Sequence, residues 1–360
     1  MEDFNDIDAI GPYRTDEEAQ DAFRHISENP LLEKISLYFF PEESGDYLKN
    51  IFLQLKSVDE FQLLVMAKVV RRILNRTAHN FSYDGISNIS ADKKFLALSN
   101  HRDIILDPAI TQYVLSRNNI PLTEIAVGDN LIQNQFIEYL IRSNRMIKVI
   151  RGVAARELYL SSQRLSKYIR RSITTGMSSV WLAQRQGRTK DGYDTTEQGL
   201  LKMLDMSGEP GNFRKNFEEL NILPMSISYE IEPCDILKAR ETFITARDGR
   251  YVKQKSEDLN SILVGVTQPK GNIHLNIGRP LTHEEISLAS LCEKNDRYQY
   301  IRHAVNMRVV DGFRLWKNNY VAYDILNGTT RFADRYDLAD KEWFESYMEH
   351  QLDTIEPELD

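Results

Sequence analysis

The chain has 360 residues, of which 27% are charged and 42% hydrophobic, as in a globular protein with a full hydrophobic core. Its net charge of −8 at pH 7 argues against binding to nucleic acid. The two cysteines, Cys234 and Cys292, lie far apart, and no cysteine–histidine cluster has the spacing of zinc ligands. We therefore expect a reducing compartment, no metal and no redox cofactor.

The N-terminal segment MEDFNDIDAIGPYRTDEEAQ is acidic and lacks an apolar stretch, so it does not resemble a signal peptide. No window of about 18 apolar residues occurs, and the best candidate, residues 61–70, is short and interrupted by Lys68. We expect a cytoplasmic protein with no transmembrane segment, associated peripherally with the inner face of the membrane.

Residues 15–80 carry apolar side chains at spacings of three and four, as in LLEKISLYFF (31–40), and this periodicity predicts helices. The simplest interpretation of such a stripe is packing in a core. We assign residues 1–80 to an N-terminal helical region.

From residue 81 the pattern changes to short β-branched and aromatic segments separated by helical ones. The predicted strands are FSYDGI (81–86), KFLALSN (94–100), TEIAVGD (123–129), MIKVIRG (146–152), SSVWLAQR (178–185), ILPMSISYE (222–230) and NIHLNIG (272–278). The predicted helices between them are DPAITQYVLSR, QNQFIEYLIRS, ARELYLSSQRLSKYIRRSI and TEQGLLKMLDM. This alternation predicts an α/β core over residues 81–280, with a mostly parallel central sheet flanked by helices.

After Pro280 the sequence becomes helical and polar again. We assign residues 281–360 to a helical C-terminal extension. Its last residues, EPELD, form an acidic tail that we expect to be frayed.

The net charge conceals a basic segment, residues 142–190, with 12 lysines and arginines against one acid, Glu157. Such a segment in an acidic chain indicates an anionic ligand: a phosphate, coenzyme A, an acidic carrier protein or a lipid headgroup surface. The alternative is a solvated helix face. The segment lacks the interleaved aromatic residues of a nucleic-acid platform.

Residues 155–173 of this segment predict an amphipathic helix with Leu158, Leu165, Ile169 and Ile173 on one face. A basic helix of this kind can lie on an anionic membrane surface. Because it stands between two predicted strands, we favour the interpretation that its apolar face packs on the sheet.

The stretch LSNHRDIILDPAI (98–110) contains His-Arg-Asp, the catalytic tripeptide of protein kinases. A kinase also needs a glycine-rich loop, an asparagine five residues after the aspartate and a DFG motif. The chain has no GxGxxG and no DFG, and Pro108 stands where the asparagine would be. We therefore reject a kinase.

His101 instead follows a predicted strand and precedes a predicted helix, at the edge where open α/β sheets bind ligands. Histidine is suited to take a proton from a hydroxyl near neutral pH, and it needs a carboxylate to hold its tautomer. Asp103 and Asp107 are both available. Since no GxSxG nucleophile motif occurs, direct attack by a substrate hydroxyl is the favoured mechanism.

Four segments, in order, resemble the motifs of the glycerolipid acyltransferases, which acylate glycerol-3-phosphate and lysophosphatidate. NHRDIILD (100–107) resembles the family's Asn-His motif with its downstream aspartate, and MIKVIRG resembles a strand that ends in arginine. WLAQRQGRTKDG (181–192) resembles a strand followed by a Glu-Gly pair and arginines, and LNILPMSISYE resembles a strand with proline. NIHLNIGRPL is similar to the closing strand, and the resemblance covers about residues 80–280.

The resemblance implies an O-acyltransferase of phospholipid biosynthesis with His101 as the general base. The acyl group would move from a thioester, on coenzyme A or acyl carrier protein, to a hydroxyl of glycerol-3-phosphate or a lysolipid. No cofactor other than this co-substrate is implied. The implied substrate-binding residues, with the arginines for an anionic headgroup and the glycine for close backbone approach, are Arg151, Arg185, Gln186, Gly187 and Arg188.

Two departures from the family's pattern bear on these roles. The family's aspartate stands five residues after its histidine, where this chain has Leu106, and Asp107 follows one residue later. We favour Asp107 over Asp103 as the carboxylate that orients the histidine, although Asp107 is also well suited to begin a helix. Gln186 replaces the family's glutamate and keeps an acceptor oxygen without the charge.

The departures leave two alternatives open. One is acylation of a lyso-aminolipid that lacks phosphate. The other is a non-catalytic protein of the same fold that binds a membrane or a carrier. The presence of Asn100, His101, two nearby acids and Arg151 speaks against the second.

Overall fold

The computed structural model describes residues 7–254 and 256–354, so the predicted fraying of the EPELD tail lies outside the described residues. The helices are α1 Asp16–Ser27, α2 Leu31–Phe39, α3 Tyr47–Phe52, α4 Val58–Phe61, α5 Ala67–Thr77, α6 Leu106–Arg117, α7 Gln135–Ser143, α8 Ala155–Thr174, α9 Gln198–Asp205, α10 Phe213–Glu218, α11 Asp235–Asp248, α12 Glu257–Thr267, α13 His283–Ser290, α14 Asp296–Gly312, α15 Lys317–Asn327 and α16 Leu338–Leu352. A π-helical turn, Gln62–Met66, joins α4 to α5, and 3-10 turns span Ile86–Asn88 and Asp129–Leu131.

All seven predicted strands are present and form one sheet. They are β1 Ala78–Asp84, β2 Leu96–Ser99, β3 Glu124–Gly128, β4 Met146–Val149, β5 Val180–Ala183, β6 Ile222–Tyr229 and β7 Gly271–Ile277. The order across the sheet is β1-β7-β6-β2-β5-β3-β4, and every neighbouring pair is parallel except β6 and β7. The predicted α/β fold with a mostly parallel sheet flanked by helices is confirmed.

The sheet separates two hydrophobic clusters, because successive side chains along a strand point to opposite faces. On β2, Leu96 and Leu98 belong to one cluster and Ala97 to the other. Helices α8, α9, α10 and α14 complete the first cluster, and α5 and α6 complete the second. Burial on both faces explains why the central strands are continuous apolar runs rather than alternating ones.

The helices before β1 enclose a third cluster around Phe23, Phe52 and Phe61, whose ring centroids lie 5.5 to 5.9 Å apart. The helices predicted for this region are present, although Ser57 begins a new one by accepting a hydrogen bond from the amide of Glu60. The cluster also includes Phe136 of α7, so these helices pack on the α/β core.

Helix α8 has two different halves. Leu165, Ile169 and Ile173 are buried in the core, as the packing interpretation predicted. Leu158 is 46% exposed, and its neighbours Tyr159 and Leu160 are 55% and 50% exposed, so that interpretation is wrong for the first turns. The basic helix therefore packs on the sheet with its second half only. Within residues 7–254 and 256–354, no helix combines the length and apolarity that crossing a bilayer requires.

The connection between β6 and β7 is longer than their geometry requires. Adjacent antiparallel strands need only a short turn, yet this connection holds α11 and α12, which the sequence did not predict. Helix α12 covers the turn that follows β2. Its Gly265 lies so close to Asp103 that a β-carbon there would overlap the Oδ2 atom of the aspartate.

Candidate active site

The carboxyl ends of four parallel strands meet at one edge of the sheet. His101 follows β2, Asn130 follows β3, Arg151 follows β4 and Gly187 follows β5. All four residues line one cavity of about 110 Å³. This is the edge at which open α/β sheets bind ligands, so the cavity is the candidate active site.

His101 is held by Asp107. The imidazole Nδ1 lies 3.0 Å from Asp107 Oδ2, the ring is 15% exposed, and the carboxylate is fully buried. The same Oδ2 accepts hydrogen bonds from the amides of Arg102 at 2.6 Å and Asp103 at 2.9 Å. These contacts close the turn after β2. Asp107 stands one residue further from the histidine than the aspartate of the resembled family, and this turn accommodates the additional residue before helix α6 continues.

Asp103, the competing carboxylate, has a different task. Its Oδ1 accepts from the amides of Ile105 at 2.9 Å and Leu106 at 2.7 Å, at the start of α6. Among the described residues, its Oδ2 has no hydrogen-bond partner. Burial, and then the negative charge of Asp107, raise the pKa of the Asp103 carboxyl. Asp103 shapes the turn, and Asp107 is the carboxylate that contacts the histidine.

Tyr229 also contacts Asp107, and the sequence did not predict this contact. Its hydroxyl donates to Asp107 Oδ1 at 3.0 Å, in a fully buried position. Burial, and then the charges of Asp107 and Asp103, raise the pKa of Tyr229 well above its ordinary value. Tyr229 belongs to the proline-containing motif LNILPMSISYE. Its contact with Asp107 could not be predicted, because only the order of the strands shows that β6 lies next to β2.

The loop after β5 is tied to the histidine turn. The amide of Thr189 donates to the carbonyl of His101 at 2.8 Å, and the Thr189 hydroxyl donates to Asp194 at 2.7 Å. Asn100 bridges both sides, since its Nδ2 donates to Asp194 at 3.1 Å and its Oδ1 accepts from the amide of Ile227 at 2.8 Å. Asn100 thus serves to join strand ends, and Asp194 is a further residue that the sequence did not single out.

Arg151 forms the cationic wall of the cavity. Burial lowers the pKa of its guanidinium, and the carboxylates of Asp129 and Asp258 act in the opposite direction. A side chain at Gly128 would crowd it, because a β-carbon there would lie 2.9 Å from the Arg151 Cζ atom. A glycine at the end of β3 therefore makes room for the arginine beside the cavity.

The four candidates from the loop after β5 separate in space. Gly187 and Arg188 line the cavity, and Gly187 has φ of +73°, a left-handed conformation that favours glycine. Arg185 and Gln186 are outside the lining formed by the described residues, and Gln186 is exposed. The position where the family has a glutamate thus faces solvent in this chain.

One wall of the cavity comes from the connection between β6 and β7, which the sequence did not predict. Lys253 and Asp258 line the cavity and form an ion pair with each other. Asn130 donates to Asp258 at 2.9 Å, which joins this wall to the end of β3. Among the described residues, the charged lining consists of three cations, Arg151, Arg188 and Lys253, and one carboxylate, Asp258.

A narrow apolar cavity adjoins the His101 cavity and shares three wall residues with it, Pro108, Ile125 and Met146. It lies between α5 with the preceding π-helical turn on one side and α6 on the other. Its remaining walls are Gln62, Met66, Ala67, Val70, Ile105, Ala109, Gln112, Tyr113, Ser116, Leu122 and Asn144. A cationic cavity and a small apolar cavity of about 20 Å³ thus lie on the two sides of a shared wall.

Trp181 is buried in the sheet, as expected of a core residue, and it also forms part of the His101 cavity. Its ring meets that of His101 edge to face, with the centroids 6.2 Å apart. The indole Nε1 is buried without a hydrogen-bond partner among the described residues. Nor does the described part of the chain hold a group of three or more histidine, cysteine, aspartate or glutamate side chains that would bind a metal.

Comparisons with known proteins add little to this geometry. No protein-family model and no curated protein sequence matches the chain. Among solved structures, the chain is similar to the 1-acyl-sn-glycerophosphate (LPA) acyltransferase PlsC from Thermotoga maritima, at a TM-score of 0.43 and 15% identity. The match covers 81% of this chain and 94% of that one. Function therefore has to be inferred from the site itself.

Proposed function

We propose that the protein is an O-acyltransferase that moves a fatty acyl group from a thioester to a hydroxyl of glycerol-3-phosphate or a lysolipid, in phospholipid biosynthesis. The observation that carries the proposal is the His101–Asp107 pair, which borders a cationic cavity that shares wall residues with an apolar one. One reaction that uses all three features is transfer of an apolar acyl chain to an anionic acceptor.

His101 acts as the general base. Its Nδ1 is engaged by Asp107, which leaves Nε2 to take the proton of the acceptor hydroxyl. The hydroxyl oxygen attacks the thioester carbonyl, the C–S bond breaks, and the leaving thiolate takes the proton from the His101 imidazolium. Asp107 stabilises the imidazolium that forms in the course of this step.

Arg151 and Arg188 bind the acceptor's phosphate, because a guanidinium pairs with phosphate through two parallel hydrogen bonds. Lys253 adds a third positive charge at the same cavity. Arg185 and Gln186 act, in this proposal, at the outer approach to the cavity and not on the bound phosphate. In this proposal the acyl chain lies toward Pro108, Ile125 and Met146, and the apolar cavity behind them, about 20 Å³ in volume, widens to admit it.

We also propose peripheral contact with an anionic membrane surface through the first turns of α8. Leu158, Tyr159 and Leu160 are exposed there beside the basic Arg156, a few residues after Arg151 of the cavity. Sedimentation with vesicles tests this: Leu158→Ser with Leu160→Ser should weaken binding to anionic vesicles. Equal binding of the wild type to neutral and anionic vesicles would contradict the electrostatic part.

The enzyme proposal is tested by thiol release from palmitoyl-CoA and from palmitoyl acyl carrier protein, with a panel of acceptors. The panel contains glycerol-3-phosphate, lysophosphatidate and a phosphate-free lyso-aminolipid. A rate that depends on a phosphate-bearing acceptor supports the proposal. If only the lyso-aminolipid supports thiol release, the acceptor is phosphate-free and the proposed acceptor class is wrong. If no acceptor increases thiol release from either donor, the proposal of acyl transfer is rejected.

Two arginine variants test which side chains bind the phosphate. Arg151→Gln should raise the KM for a phosphate-bearing acceptor about tenfold or more, since it removes a charge-assisted pair inside the cavity. Arg185→Gln should change the KM less, because Arg185 lies outside the cavity lining. Equal effects of the two changes would contradict this assignment.

A further inference from the structure

We infer that Tyr229 is a positioning residue for this proposed reaction: its hydroxyl holds the carboxylate that holds His101. The inference rests on the proposed function for its kinetic consequence, although the contact itself can be tested without any substrate. Nothing in the sequence motifs assigns this role to the tyrosine.

The hydrogen bonds of Asp107 are divided between its two oxygens. Oδ2 accepts from His101 Nδ1 and from the amides of Arg102 and Asp103. Oδ1 accepts from the Tyr229 hydroxyl at 3.0 Å. Because donors engage both oxygens, the carboxylate group is fixed against rotation about its Cβ–Cγ bond. Without the tyrosine hydroxyl, Oδ1 would lose the donor that holds it in the buried site.

The sheet explains how a residue so distant in sequence reaches this turn. In the parallel pairing of β2 and β6, Ser99 at the end of β2 lies beside Met225. Strand β6 then continues to Tyr229, about 13 Å further at the usual rise per residue. The overhanging end of β6 therefore runs beside the turn that carries His101, and the Asn100–Ile227 hydrogen bond fastens the two together.

The side-chain alternation of β6 gives the tyrosine the correct face. Leu223, Met225, Ile227 and Tyr229 belong to the hydrophobic cluster that α6 covers. Since Asp107 lies in the first turn of α6, the tyrosine hydroxyl and the carboxylate meet on that face. A slip of one residue in the register of β6 would turn the tyrosine to the opposite face.

Tyr229 acts through Asp107 and not on a substrate. It lies outside the described lining of the His101 cavity and faces a second cavity beneath α15 and α16. Its raised pKa keeps the phenol protonated across the neutral range, so it is a donor to the carboxylate and not a competing base.

The test is Tyr229→Phe, which removes the hydroxyl and keeps the ring. Tyr168→Phe is the matched control, because the Tyr168 hydroxyl also donates to a buried carboxylate, Glu124 at 2.6 Å, at the other edge of the sheet. We expect Tyr229→Phe to lower kcat about tenfold or more, as for a lost hydrogen bond to a charged group, with the KM for the thioester unchanged. Tyr168→Phe should lower thermal stability and leave kcat unchanged.

A proton NMR measurement on the unliganded protein separates this inference from the proposed function. The Nδ1–H resonance of His101 reports its hydrogen bond to Asp107. It should shift in Tyr229→Phe and stay in place in Tyr168→Phe, even if no thioester is a substrate. An unchanged resonance together with a kcat within twofold of wild type would overturn the role, and so would an equal loss of kcat in both variants.

Discussion

Two buried carboxylates with similar partners lie at opposite edges of the sheet. Asp107, beyond the carboxyl end of β2, accepts from a tyrosine hydroxyl and contacts a histidine. Glu124, the first residue of β3, accepts from the Tyr168 hydroxyl at 2.6 Å and from Arg14 at 2.7 Å. Both carboxylates have side chains with no exposed surface.

The basic partner of each carboxylate makes the difference between the two clusters. Arginine keeps its charge at all accessible pH values, so the ion pair of Arg14 with Glu124, which ties the N-terminal segment to the sheet, has a fixed cation. Histidine gains and loses a proton near neutral pH, and His101 also borders a cavity. A buried carboxylate that pairs with an arginine, whose charge is fixed, is structural. The same hydrogen-bonding pattern is suited to catalysis where the partner is a histidine, which is able to accept a proton.

The largest expected effect is on Asp107. Asp107→Asn keeps an acceptor oxygen but removes the charge and leaves the tautomer of His101 uncontrolled, so kcat should fall roughly a thousandfold or more. Steady-state thiol release measures the change, and circular dichroism checks the fold. A loss of less than tenfold in a folded variant would remove Asp107 from the mechanism.

Glu124→Gln should lower stability and leave turnover unchanged, the opposite of what we expect for Asp107→Asn. The glutamine keeps an acceptor oxygen but removes the charge that pairs with Arg14, whose side chain is 31% exposed, so the free energy of unfolding should fall by about 2 kcal/mol. Turnover per folded molecule should not change, because the cluster lies at the far edge of the sheet from the cavity. Denaturant unfolding and thiol release on the same preparation test both statements. A kcat loss like that of Asp107→Asn would erase the distinction between the clusters.

Lys270, the residue before β7, makes the free energy of unfolding of the protein depend on pH. Burial lowers the pKa of this fully buried ammonium to about 8 from 10.5, and the charge of Asp103 opposes the shift. The unfolded chain binds the proton more tightly, so the burial cost is fully present below pH 8 and is relieved as the pH rises from 8 to 10.5. The cost is on the order of 3 kcal/mol.

Lys270→Met therefore should be more stable than wild type at pH 7, and its advantage should shrink as the pH approaches 10.5. Denaturant unfolding of both proteins at several pH values measures the difference and cancels the titration of all other groups. A difference that stays constant from pH 7 to pH 10 would contradict the lowered pKa.

The smallest effect is expected for Asp103→Asn. The amide keeps an oxygen to accept from Ile105 and Leu106, and the raised pKa means that the ionised carboxyl is not favoured there. We expect kcat within about threefold of wild type and a free energy of unfolding within about 1 kcal/mol. A loss as large as that of Asp107→Asn would make Asp103 the catalytic carboxylate instead.

The sequence predicts the part of this structure that local pattern determines. Apolar runs such as β2 and β5 mark buried parallel strands, and the position of His101 after β2 follows from that pattern. Asp107, and not Asp103, contacts His101, while the catalytic role of either carboxylate stays a prediction. Helices α11 and α12 escaped prediction, and with them Lys253 of the cavity wall.

The remainder depends on contacts between distant segments. Nothing local shows that β6 neighbours β2, so the contact of Tyr229 with Asp107 is invisible in the sequence. Likewise, the apolar stripe of α8 is continuous in sequence, although only its second half has a sheet to pack against. Periodicity in the sequence identifies a helix face that is able to be buried. The length of the neighbouring elements decides how much of that face is buried in the structure.

The most direct test of the account is the kcat of His101→Ala, with the donor and acceptor that the wild type accepts. His274→Ala is the control, because His274 is a buried histidine whose Nε2 lies 3.3 Å from Asp84, away from the cavity. The account predicts that His101→Ala loses about a hundredfold or more in kcat while His274→Ala keeps its turnover per folded molecule. Equal thiol release by wild type and folded His101→Ala would contradict the assignment of the histidine as the base.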